Sequence, residues 1–312
     1  MSGRMMVRGV VGVAVMMTSL SVASLAGAQQ LPNEGPVPTT ALITVNSKND
    51  VQLDPSQLKL KLNRRDSPIT AVTPLNPQRA QVAILIDEGL RSNFSLQLDE
   101  IKQFINELPP GTHALIGYMQ NGTVRTQGFT DNKEALAGQL RVTMSIGGVD
   151  ASPYFSLSEF VKNWPARVAG PRVVLMVTNG IDPYNGRPSV MNQDSPYVQT
   201  AQEDAERAGV AVYSIYYPQT GMRGGSFSGQ SYLSQIAEAT GGTLFNMGSI
   251  PPVSFKPYLE QFRKAILESY TVSFMATPMG KRGSDLTQIK LTTSQPGVKI
   301  IAPQNVQPGV SQ

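Results

Sequence analysis

The sequence has no cysteine and a single histidine, His113, among its 312 residues. Without thiols there are no disulfides, no thiolate nucleophile and no zinc site built on sulfur. With one imidazole there is no multi-histidine metal centre. A serine triad of the usual kind is disfavoured as well, because no Gly-x-Ser-x-Gly occurs; Gly224-Gly225-Ser226-Phe227-Ser228 departs from it at its last position. Also lacking are a Gly-Lys-Ser/Thr phosphate loop and a glycine-rich dinucleotide fingerprint. Charge is sparse, at 15% of residues, and no Lys/Arg block stands out. Nucleic-acid binding therefore has little support. Beyond residue 28 no run is apolar enough to span a bilayer.

What is present begins with MSGRMMVRGVVGVAVMMTSLSVASLAGAQQ. Arg4 and Arg8 give a positive start, a mostly apolar stretch follows, and Ala26-Gly27-Ala28 is a small-x-small cleavage site. This predicts a signal peptide over residues 1–28 and an exported chain, periplasmic or secreted. The competing reading is an uncleaved membrane anchor. No cysteine follows, so a lipoprotein attachment site is lacking. Setting aside the two leader arginines lowers the formal charge from +4 to about +2. An exported chain without disulfides must be held by its core, and this one is long enough for a large domain plus a small one.

A Pro/Gly-rich stretch over 29–39 reads as a flexible lead. ALITVN (41–46), LKLKLN (58–63) and 70–74 read as strands, the second alternating strictly. From residue 80 strands and helices alternate, which predicts a parallel sheet with helices on both faces. Its strands are expected at 82–86, 114–119, 173–178, 210–217 and 243–246. Asn121-Gly122 predicts a hairpin into an antiparallel strand at 123–126. Helices are expected over 94–108, part of 132–143, 154–164, 196–208, 232–240 and 255–268, with GMRGGSFSG (221–229) a mobile loop. Two further strands, 270–276 and 286–293, follow. The expected division is a β segment at 40–79, a central domain at 80–269, a second β segment at 270–303 and a tail at 304–312.

The run QVAILIDEGLRS (81–92) is a nearly continuous apolar stretch ending on an acid and a glycine. It resembles the first strand of a von Willebrand factor A domain. RVVLMVTNG (172–180) is similar to the strand that usually ends in Thr-Asp-Gly in that family, and SYLSQIAEATGGTLFNM to its late helix, Gly-Gly and short strand. With the flanking β segments, the chain resembles bacterial exported proteins of this family described from Acidobacteria, over roughly 38–303. The resemblance implies an α/β, doubly wound, mostly parallel sheet with helices on both faces, plus a small β module made by the two flanks.

In the family, a divalent cation such as Mg²⁺ is held by oxygens from three loops. Its Asp-x-Ser-x-Ser maps to Asp87, Gly89 and Arg91, so the aspartate is kept and both hydroxyls are lost. Its threonine after Gly-Gly maps near Val149 and Asp150, and its third-loop aspartate maps to Asn179, with Asp182 three residues on. The adhesion site is degenerate in these terms. One reading has the metal lost and the Arg91 guanidinium beside Asp87. Another has Asp87, Asp150, Asn179 and Asp182 rebuilding an oxygen site, with Asp87, Asp150 and Asp182 as its acids. In the plainest reading Asp87 only caps the turn.

The function these features favour is non-catalytic protein binding outside the cytoplasm, as an adhesion or scaffold protein. No cofactor is required. The expected contact surface is the sheet's carboxyl edge, at the loops 87–95, 147–154 and 179–188. Two alternatives stay open: a hydrolase using a carboxylate cluster at that edge, and a structural cell-envelope component assembling through its β flanks.

Overall fold

Strand β1 (Val37–Ser47) is covered on both faces. Leu42 joins the core beneath the large sheet, while Ala41, Ile43 and Val45 point into a separate core. A strand buried on both faces reads as a continuous apolar run, which is how ALITV reads. The computed structural model describes residues 35–47, 51–120, 122–143, 152–166, 169–186, 191–218, 223–246, 248, 250–278 and 285–311. The signal peptide expected over 1–28 and Asp150 lie outside these residues.

Strands β2 (Leu58–Leu62), β3 (Arg65–Ser67) and β4 (Ile69–Pro74) follow. β2 alternates buried and exposed positions, as its Leu/Lys alternation dictates. The β2–β3 hairpin turns on Asn63 and Arg64, with φ of 46° and 68°. Two positive φ values give a two-residue turn whose twist matches that of the strands.

The large sheet contains β5 (Gln81–Asp87), β6 (His113–Gln120), β7 (Thr123–Thr126), β8 (Arg172–Thr178), β9 (Val210–Tyr216) and β10 (Leu244–Phe245). Their order is β10-β9-β8-β5-β6-β7, all parallel except the β6–β7 pair. Helices α1 (Leu98–Glu107), α2 (Lys133–Ala137) and α6 (Lys256–Leu267) pack with Val82, Ile84 and Ile86 on one face. Helices α3 (Pro153–Lys162), α4 (Pro196–Arg207) and α5 (Arg223–Thr240) pack with Ala83 and Leu85 on the other. The two-residue period of β5 thus feeds two cores. Among the described residues, no helix is long and apolar enough to cross a membrane.

The flanks form two four-stranded sheets with β11 (Ser269–Ala276), β12 (Thr287–Thr293), β13 (Val298–Ile301) and β14 (Asn305–Val306). Their orders are β13-β1-β11-β4 and β14-β12-β2-β3, with a third apolar core between them.

Several expected elements need correction. The lead does not run to Thr39, because β1 starts at Val37 and pairs with β11 from there. Residues 304–312 are not a free tail, since Asn305 and Val306 pair with β12 and Val306 is buried. The helix expected over 94–108 is split into a 3₁₀ segment, Ser92–Gln97, and α1. Over 132–143 only Lys133–Ala137 is α-helical, with Gly138 as its C-cap. The loop expected at 221–229 is helical from Arg223 onward.

Candidate functional site

β5 delivers Asp87 to the carboxyl edge of the sheet, where β8 places Thr178 beside it. The Thr178 hydroxyl donates to Asp87 Oδ2 at 2.6 Å, and the Gly89 N–H donates to Oδ1 at 2.8 Å. Asp87 is only 2% exposed. Burial pushes its carboxyl up to about 6; the Thr178 and Gly89 bonds oppose this, and neighbouring Glu88 adds to it.

The network continues across β8. The Gly180 N–H donates to Thr178 Oγ1 at 3.0 Å, and the Tyr154 hydroxyl donates to the Gly180 carbonyl at 2.6 Å. Tyr154 is fully buried at the start of α3. Its hydroxyl is held well above the usual range by burial first, then by Asp182, Tyr232, Asp87 and Tyr216. Gly180 has φ of +67°, and a Cβ there would lie 2.6 Å from the Gly229 carbonyl oxygen. Only glycine allows this contact between the β8 loop and α5.

Asn179 and Asp182 serve their own loop. Asn179 Oδ1 accepts from the Ile181 N–H at 2.8 Å. Asp182 Oδ1 accepts from the Tyr184 N–H at 3.1 Å and Oδ2 from the Ser195 hydroxyl at 2.8 Å. Ser195 in turn caps α4, accepting from the N–H groups of Tyr197 and Val198.

The structure brings Asp87, Gly89, Asn179 and Asp182 to one edge. It does not bring Arg91 to Asp87: Arg91 is exposed, and the Asp87 oxygens are held by Gly89 and Thr178 instead. Arg141 meets an acid in this region: its guanidinium binds the buried Glu88 and lies 3.8 Å from the Tyr118 ring centroid. Just after it, the Thr143 hydroxyl donates to the Leu90 carbonyl at 2.8 Å. His113 is exposed at the opposite, amino end of β6.

These donors do not fit a hard divalent cation. Both oxygens of Asp87, both of Asp182 and Oδ1 of Asn179 are committed to protein hydrogen bonds, and Gly89 has no side-chain oxygen. Among the described residues, His, Asp and Glu nowhere gather in groups of three that could hold a metal. A near-octahedral oxygen shell would have to share oxygens that already accept these bonds, with no side-chain hydroxyl at positions 89 and 91 to complete it.

The edge has a second property, which the motif reading missed. Eleven large apolar side chains are exposed among the described residues. Eight of them, Leu96, Val142, Tyr184, Met191, Tyr197, Phe227, Ile250 and Val253, lie on segments above the carboxyl ends of the parallel strands. Met191 and Val253 are 90% and 93% exposed. Gln97 Nε2 donates to the Val253 carbonyl and Gln230 Nε2 to that of Gly248, tying the 3₁₀ segment before α1 and helix α5 to the segment before α6. Phe155, Tyr184 and Tyr197 form an aromatic cluster beside it, with centroids 5.1 and 4.8 Å from Phe155. Period counting cannot find these residues, because they stand outside any buried stripe.

No protein-family model matches the sequence, and no curated protein matches it. Its solved neighbours include von Willebrand factor A domains. The von Willebrand factor type A protein from Catenulispora acidiphila is 13% identical, with 88% of this chain and 75% of that one covered and a TM-score of 0.39. The vWF domain of the type V pili tip protein Mfa5 from Porphyromonas gingivalis is 10% identical, with 63% and 96% covered and a TM-score of 0.44. The conserved hypothetical protein BatB from Bacteroides thetaiotaomicron is 14% identical, with 60% and 97% covered and a TM-score of 0.39.

Proposed function

We propose that this chain is an exported, non-catalytic scaffold that binds a protein partner through the carboxyl edge of its large sheet, without a bridging metal ion. The observation that carries the reading is the concentration of exposed apolar side chains on that edge. Exposed apolar side chains gathered on one side of a protein support an interaction surface there. Below it, the polar groups of Asp87, Thr178, Asn179 and Asp182 are satisfied internally, which makes a rigid base for the rim. A carboxylate hydrolase is less well supported, since Asp87 and Asp182 each serve a separate loop as hydrogen-bond acceptors. The signal peptide expected over residues 1–28 supports a partner outside the cytoplasm.

The test is site-directed photo-cross-linking in the exporting cell. A cross-linker at Met191 or Val253 should trap a discrete partner, and one at Met275, exposed on β11, should not. Chelator should leave the yield unchanged. Equal trapping from Met275, or loss of trapping with chelator, would overturn the reading.

A further inference from the structure

A cleft of about 450 Å³ lies between edge strand β7 and the segment that follows α2. The volume falls within the range of small-molecule pockets. Tyr118 lies at its floor, Arg125 and Gln127 on one wall, and Gly138, Gln139 and Arg141 on the other. No acid lines it.

Two arginines converge here for a topological reason. Arg125 is the cross-strand partner of Tyr118, so both side chains leave the same face of the sheet. Arg141 reaches that face from the other side. Its backbone N–H donates to the Tyr118 hydroxyl at 2.7 Å, and its guanidinium covers the Tyr118 ring. The ring, Glu88 and the Val142 carbonyl, which accepts from Nη1 at 3.1 Å, fix the Arg141 fork, which keeps N–H donors beyond those given to these two. Arg125 is exposed and makes no ion pair among the described residues. Gln127 and Gln139 add neutral donors and acceptors.

We infer that this cleft binds a carboxylate, held between the guanidinium groups of Arg125 and Arg141. The planar fork of arginine matches carboxylate geometry with two parallel hydrogen bonds, which an ammonium group does not offer. The glutamine side chains favour a carboxylate attached to further hydrogen-bonding groups, as in a hydroxy acid or a peptide's carboxyl end. The site adjoins the apolar rim at Val142, but carboxylate binding is tested independently of partner binding there.

The experiment is isothermal titration of the protein at low ionic strength with three probes: citrate, acetyl-tetraglycine with a free carboxyl end, and the same peptide amidated. The first two arms distinguish a free small acid from a chain terminus. Saturable binding of citrate or of the free-acid peptide, with the amide silent, is expected. Arg125→Gln should weaken it about tenfold or more, the scale of losing one charged hydrogen-bond pair. Arg125 is exposed, so this variant should unfold at the wild-type temperature and serve as its own folding control. Arg141→Gln is the poorer test, because it leaves Glu88 buried without its arginine. Absence of binding by both acids, equal binding of the amide, or affinity unchanged in Arg125→Gln would each overturn the site.

Discussion

Thr178 and Asp87, 91 residues apart in sequence, meet at 2.6 Å where β8 and β5 end side by side. The contact works in both directions. The Thr178 hydroxyl gives its proton to a buried carboxylate and uses its lone pair to accept from the Gly180 N–H. Thr178→Val keeps the shape and removes both bonds. A hydrogen bond to a charged group contributes about 1.5–3 kcal/mol, so a loss of that order is expected in chemical denaturation. The loss should be larger at pH 8, where Asp87 is ionised, than at pH 5. A pH-independent loss would mean that the hydroxyl serves only Gly180.

Asp87 itself sets a pH dependence with a defined sign. Its folded value, about 6, is above its ordinary 3.8. Between these values the folded state binds more protons than the unfolded state, so stability falls as pH rises. The stabilisation is full below about pH 4 and lost as pH passes about 6, amounting to on the order of 3 kcal/mol at about 1.4 kcal/mol per unit. Asp87→Asn should flatten this part of the profile and narrow its stability deficit, or exceed wild type, above pH 7. An unchanged slope in the variant would assign the titration elsewhere.

The parts of the fold legible in the sequence are those whose burial leaves a pattern. β5 sits mid-sheet with both faces covered, so its seven residues read as one apolar run. β2 and β12 have one wet face and alternate. The second half of α5 is legible as the helix expected at 232–240, while its first half is obscured because Gly224, Gly225 and Gly229 make 221–229 read as a loop. At Gly229 the glycine is needed for packing, since a Cβ there would lie 2.4 Å from the Asn179 carbonyl oxygen. Strands β3 and β14 are too short and polar to leave a pattern. In the site, Asp87 was legible because it ends an apolar strand. Its partners were not, because sheet order decides which strand end lies beside it. The direction of Arg91 depends on the turn after Gly89 and has no signature in residue type.

The committed oxygens make a prediction about divalent ions. A ligand that binds only the native state at a hundredfold excess over its dissociation constant adds about 2.7 kcal/mol of stability. Thermal unfolding with excess Mg²⁺, Mn²⁺ or Ca²⁺ should match that in chelator. An upward shift with any of these ions, absent in Asp87→Ala, would show that Asp87 holds a cation alongside its hydrogen bonds, and would replace the metal-free reading with metal-dependent adhesion.

The last residues of the chain make the fourth prediction, because they cover a second buried acid. The Gln304 N–H donates to the Ala239 carbonyl at 2.7 Å, the Thr40 N–H donates to Val310 at 2.9 Å, and the Asn305 amide donates to Glu206 Oε1 at 2.9 Å. Glu206 Oε2 is buried with no partner. Burial raises this carboxyl to about 7, with Glu203 adding to the rise and Asn305 and Arg207 opposing it. The sign is that of Asp87: stability contributed below about 4.5 is lost as pH rises through about 7. Deleting 303–312 removes the cover, so two effects should appear together. Stability should drop through the lost hydrogen bonds and the exposure of β12 and α4. The slope between about pH 5 and 7 should also shrink, because a solvated Glu206 titrates alike folded and unfolded. Glu206→Gln with the segment intact should lose the Glu206 share of the slope, leaving that of Asp87, without losing the docking. Equilibrium unfolding of the two variants across pH 4.5–8 separates these contributions. If the deletion keeps the full slope, Glu206 is desolvated by α4 and β9 alone, and the C-terminal segment has no part in its titration.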